Sequence, residues 1–155
     1  MYSKEEEKEL KLAFWSKLGN RTRKIPGQRG KVKTWIGDRT NIKGVDLRFD
    51  VGRKKIAVAL EINVKYETRR LALYEKLEAT KKIFENEFGE ELIWDFAYEK
   101  EYGEEVCRVY KEMDGDYLAQ EQWPAIFSFM IDKMLRMEKA FLEVKDFLKY
   151  DELGQ

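Results

Sequence analysis

The chain of 155 residues contains no histidine at all. That excludes imidazole metal ligands, the Ser-His and Cys-His nucleophilic pairs, and a histidine-based pH switch. Any chemistry here must rest on carboxylates, lysine, tyrosine or a metal held by oxygen. Cysteine occurs once, at Cys107. No intrachain disulfide can form, which points to a reducing, cytoplasmic setting. Cys107 itself reads as a buried apolar side chain rather than a nucleophile. Proline occurs only at Pro26 and Pro124, so no proline-rich linker divides the chain. No apolar run approaches the ~20 residues of a membrane helix, and the opening MYSKEEEKEL has no apolar core of a secretion signal. No membrane partner is expected. Net charge is also missing: 30 basic residues offset 30 acidic ones.

What is present is aromatic. Phe, Trp and Tyr make up 14% of the chain, enough for a packed core in one domain spanning 1–155. The charge, balanced overall, is unevenly spread. Residues 17–55 carry a net +10 and residues 85–121 a net −10. Within the basic block, RTRKIPGQRGKVK holds no acid. Arg21, Arg23, Lys24, Arg29, Lys31 and Lys33 are therefore candidates for binding DNA or RNA phosphates. The plainer alternative is that the two blocks face each other or alternate around a solvated surface.

Apolar spacing orders the elements. Residues 4–18 read as a helix, with Leu10, Phe14 and Leu18 on one stripe and Gly19 as terminator. Residues 31–38, 45–51 and 55–64 read as three strands. In the second, Val45, Leu47, Phe49 and Val51 share one face, and Asp46, Arg48 and Asp50 the other. In the third, Ile56, Val58, Leu60, Ile62 and Val64 oppose Ala57, Ala59, Glu61 and Asn63. Residues 67–88 read as one long helix capped by Gly89. Residues 91–98 read as a strand with Leu92, Trp94, Phe96 and Tyr98 on one face, and 106–112 as a fifth, edge strand. A last helix opens at Trp123 and Pro124, with a stripe of Ile126, Met130, Met134, Met137, Phe141, Val144 and Leu148 that suits core packing. The expected fold is α+β: a central mixed sheet of about five strands, in the order α-β-β-β-α-β-β-α.

The stretch GVDLRFDVGRKKIAVALEINVK, residues 44–65, concentrates the chemistry. Asp46 opens one strand and Glu61 closes the next. Hydrolysis of a phosphodiester calls for such a pair, since carboxylates can hold Mg²⁺ and a nearby lysine can steady the attacking hydroxide. Ala57 and Ala59, small and on the same face as Glu61, suggest that a helix covers that face. Left to itself, the same pattern is equally that of a hairpin with a polar outer side.

Here the chain resembles the PD-(D/E)xK nuclease superfamily over about residues 4–98, which implies a restriction-endonuclease-like core. The resemblance makes Asp46 and Glu61 the metal ligands for Mg²⁺ and the catalytic carboxylates. It departs at the lysine: the position two residues after Glu61 is Asn63, and Lys65 lies two further on, the candidate to replace it. Lys33 and Lys55 are further candidates to reach the site. A second resemblance covers nearly the whole chain. FWSKLGNRTRK, the hairpin GVDLRFDVGRKKIAVALEIN, GEELIWD and EQWPAIFSFM are similar to the domain-of-unknown-function family numbered 4268, whose members occur alone or fused to nuclease-like modules. Together these imply a nucleic-acid-associated protein whose nuclease-like site, lacking the usual lysine, is expected to have lost its activity. The rival expectation is a non-enzymatic interaction domain that docks a protein partner, or a second copy in a homodimer, through its last helix.

Overall fold

A computed structural model describes residues 1–25 and 40–153 of the chain. Helix α1 (Lys4–Thr22) begins at a capping box in which the Ser3 hydroxyl accepts from the Glu6 amide and the Glu6 carboxylate accepts from the Ser3 amide. Strands β1 (Val45–Val51) and β2 (Lys55–Ile62) form a hairpin. Helices α2 (Glu67–Ala79) and α3 (Lys81–Phe88) follow, then strands β3 (Ile93–Glu99) and β4 (Glu105–Asp114). A short 3₁₀ turn leads into α4 (Trp123–Leu153).

The fold is α+β, with a four-stranded sheet in the order β1-β2-β4-β3. Every pairing among the described residues is antiparallel. The expected strand at 31–38 lies outside the described residues. Two expectations need correction. Strand β4 is central rather than an edge, and the four described strands form an antiparallel rather than a mixed sheet. The chain leaves β2 through α2 and α3, enters β3 one position too far out to pair with β2, and returns as β4 to fill the gap. Strands β2 and β3 thus run parallel without being neighbours. Val106, Cys107, Arg108 and Val109 are buried in succession, as both faces of a central strand must be.

All four helices pack on one face of this sheet. Val45, Leu47, Val58, Leu60, Ile62, Cys107 and Val109 meet Leu73, Leu77, Phe84, Phe88 and the α4 stripe. A second cluster joins Phe14 and Leu18 of α1 to Ile56, Trp123, Ile126 and Met130. Met130, Met134 and Met137 have no exposed surface, so the methionine stripe is core and that face of α4 is unavailable to a partner.

Two helix boundaries differ from the expected ones. Gly19 does not end α1, which continues to Thr22, whose buried hydroxyl donates to the Gly19 carbonyl at 2.9 Å. The long helix at 67–88 is broken at Thr80. There the backbone amide and the hydroxyl both bond the Leu77 carbonyl, at 2.9 and 2.6 Å, which tightens the turn and ends α2. Gly89, with φ of 96°, closes α3 as expected.

Candidate functional site: a carboxylate pair on the outer sheet face

The hairpin register makes Asp46 and Glu61 direct cross-strand partners, with Arg48 opposite Ala59 and Asp50 opposite Ala57. Residues paired in an antiparallel sheet share a face, so these side chains lie opposite the helices. The next strand extends the rung, since Glu61 pairs with Arg108 and Arg108 with Asp95.

Glu61 is buried, 2% exposed. A carboxylate so placed needs compensation. Three groups supply it. The Asn63 amide donates to Glu61 Oε2 at 2.8 Å and, with the same nitrogen, to Asp46 Oδ2 at 2.8 Å. The Lys100 ammonium stands 3.1 Å from Glu61 Oε1. The Arg48 guanidinium lies 3.8 Å from Oε2. Asn63 is held in turn by its backbone amide, which bonds the Gly44 carbonyl at 2.7 Å. Gly44 has φ of 83°, and a Cβ there would sit 2.4 Å from Val64 Cγ2.

Lys65 is not part of this cluster. Strand β2 stops at Ile62, so the alternation that would have carried Lys65 back to the Glu61 face no longer applies. Lys65 is exposed, and its carbonyl accepts a long bond from Arg70 Nη1. The lysine at the site is Lys100, contributed by the end of β3. A bulge between Asp95 and Tyr98 shifts the register of β3 against β4. Trp94 faces the core, while Tyr98, opposite Val106, falls on the Glu61 face, and Lys100 follows two residues later. The Ala97 amide bonds Asp95 Oδ1 and the Cys107 thiol donates to the Phe96 carbonyl, fixing the bulge. Simple alternation put Tyr98 beside Trp94. No signal in the sequence marks the extra residue, so Lys100 could not have been picked out.

Ala57 and Ala59 are buried as expected, but no helix among the described residues covers them. Arg108 on β4 reaches across β2 to Asp50 on β1, with Nη1 2.9 Å from Asp50 Oδ2. Its guanidinium therefore lies over the alanines, where a larger side chain would block it. Tyr98 and Tyr110 flank it, their ring centroids 4.0 and 4.5 Å from the guanidinium carbon. Burial pushes the Tyr110 phenol above its ordinary pKa, so this ring stays neutral at pH 7.

Of the basic candidates, Arg21 lies over the Phe127 ring at 5.2 Å, and Arg23 donates to Asn20. Both belong to the α1 end of the helical layer, on the other side of the sheet from Asp46 and Glu61. Lys24 is exposed just past the helix. Arg29, Lys31 and Lys33 lie outside the described residues. Lys55 pairs instead with Asp114 at 2.6 Å.

This arrangement defines an α+β domain with a compensated carboxylate pair on its outer sheet face. The chain belongs to the family described as Domain of unknown function (DUF4268), whose model matches residues 10–145. No curated protein and no solved structure matches it.

Proposed function

We propose that this protein is a nucleic-acid-associated domain with a nuclease-like core, and that it hydrolyses phosphodiesters with Mg²⁺. The supporting observation is the trio of Asp46, Glu61 and Lys100: two carboxylates held to one amide nitrogen, with a lysine amine 3.1 Å from Glu61. The oxygen donors suit Mg²⁺, which takes one or two carboxylates and fills its remaining positions with water and phosphate oxygens. No cluster of three or more acidic or cysteine side chains able to hold a metal occurs among the described residues, so the pair is the whole acidic donor set. Asp46 and Glu61 would hold the ion, and turning the Asn63 amide over would present its carbonyl oxygen in place of its NH₂. When bound, Mg²⁺ polarises the phosphoryl group and makes its bound water more acidic. Lys100, at the edge of the pair, supplies the positive charge that Asn63 lacks, steadying hydroxide or the charge developing on phosphorus. On this reading Lys100 takes over the role of the lysine that Asn63 replaces. The lone thiol of Cys107 fits a reducing, cytoplasmic compartment.

The test is cleavage of single- and double-stranded DNA and of RNA with Mg²⁺ or Mn²⁺ by wild type, Glu61→Gln, Asp46→Asn and Lys100→Gln. Glu61→Gln should abolish cleavage, and Lys100→Gln should slow it by about 100- to 1,000-fold. Absence of metal-dependent cleavage by the wild type, or cleavage indifferent to Glu61→Gln, overturns the proposal. One observation favours a second reading, binding without cleavage. The Asn63 amide already joins both carboxylates and, if it holds that place against the ion, leaves a closed site.

A further inference from the structure

Arg108 is an under-used donor on the outer face. A guanidinium carries five N–H groups. Here Nη1 bonds Asp50, and Nε is buried with no acceptor among the described residues. A buried guanidinium left this unsatisfied calls for an oxyanion. The space for one is present. A cleft of about 440 Å³ opens beside Arg108, floored by Ala59 and walled by Arg48, Tyr98 and Lys100. A second, of about 420 Å³, adjoins it at Asp50, Tyr98 and Arg108 and runs over Ala57 toward the turn at Arg53 and Lys54. Three cations, Arg48, Lys100 and Arg108, and four acids, Asp50, Glu61, Glu99 and Glu101, line the first cleft. Of these acids Glu99 and Glu101 are exposed and Glu61 is buried.

We infer that this cleft is a phosphate-binding site, with the phosphate against the Arg108 guanidinium between Arg48 and Lys100. Its identification with a phosphate of a nucleic-acid strand rests on the reading given above; the phosphate site itself does not. The guanidinium is already immobilised between two tyrosines and tied to Asp50, so its fork is organised before the ligand arrives. Asp50 competes with the ligand for it. That competition gives a test which damage to the fold cannot imitate, because relieving it should improve binding.

Binding is measured with EDTA present, so that it is independent of metal and of cleavage. A fluorescein-labelled, short single-stranded deoxyoligonucleotide is titrated at fixed low ionic strength, then competed with inorganic phosphate and with thymidine 5′-monophosphate. The wild type should bind the oligonucleotide, and both competitors should displace it. Arg48→Gln and Arg108→Lys should each weaken binding by about tenfold, with a thermal melt confirming that each variant is folded. Asp50→Asn should tighten binding several-fold. Binding of phosphate and the mononucleotide, read directly by isothermal titration calorimetry, without binding of the oligonucleotide would support the phosphate site and overturn its assignment to a strand. Oligonucleotide binding that ignores Arg48→Gln and Asp50→Asn but is lost in Arg21→Ala/Arg23→Ala would overturn the cleft and leave nucleic-acid association standing. Binding of none of the three ligands would overturn the site.

Discussion

Three glycine-to-alanine substitutions, chemically identical, should differ in sign and size because of where each backbone sits. Gly44 precedes β1 with φ of 83°, and a Cβ would meet Val64 Cγ2 at 2.4 Å and the Val64 Cα at 3.4 Å. Placing an L-residue there costs roughly 1–2 kcal/mol for the left-handed backbone. Overpacking against a branched side chain adds about 1–3 kcal/mol. The stiffer unfolded chain returns about 0.4–1 kcal/mol. Gly44→Ala should therefore destabilise by ~2–4 kcal/mol. For a chain of this size that is a fall of roughly 5–15 °C in Tm. Gly103 has nearly the same φ, 88°, but nothing within 4 Å of its Cβ position. Only the backbone term applies, and Gly103→Ala should cost about 1 kcal/mol or less. Gly19 lies inside α1 with open space around it, so Gly19→Ala should stabilise by about 1 kcal/mol. Urea unfolding followed by circular dichroism gives all three values by linear extrapolation. If Gly44→Ala falls within about 0.5 kcal/mol of Gly103→Ala, the contact with Val64 carries no energy and the argument fails. If Gly19→Ala destabilises, Gly19 is not helical. The substitution at Gly44 also reaches the site, since pushing Val64 away strains the Asn63–Gly44 bond that orients the amide between Asp46 and Glu61.

Two further outcomes follow from burial and charge. The Cys107 thiol is fully buried, and burial pushes its pKa from 9.0 up to about 11, against the opposing effect of Arg70. Near pH 8 an aromatic disulfide reagent should modify folded protein at least about 100-fold more slowly than protein unfolded in urea. Equal rates would show that Cys107 is accessible. Glu90 is held below its ordinary pKa of 4.5 by Lys133 first, then Lys111, against an opposing effect of burial. Its carboxylate is the favoured form in the folded state, so its stabilisation is full above the unfolded pKa and is lost as pH falls through the lower folded one. Glu90→Gln should lower Tm at pH 7, and the deficit should shrink as acid is added. A deficit independent of pH would remove the ion pair as its cause.

The amino-acid sequence by itself determined the local structure and the acidic half of the site. Alternation assigned the two faces of the β1–β2 hairpin, because side chains in a strand repeat every two residues. A short turn between two such runs brings Asp46 and Glu61 level, whatever surrounds them. The four-residue repeat of Leu10, Phe14 and Leu18 and the methionine stripe fixed the buried sides of α1 and α4 in the same way. The tertiary structure alone decided which strand lies next to which, and with it the basic half of the site. Local spacing carries no record of a strand inserted between two others, so the central place of β4 was hidden. Nor does it record a bulge, which takes one residue out of register and moves Lys100 from one face to the other. Arg108 reaches Asp50 only because three strands lie side by side with two alanines between them. The carboxylates were legible because their partners are close in sequence; the cations were not, because Lys100 and Arg108 come to Glu61 from strands formed about forty residues further on.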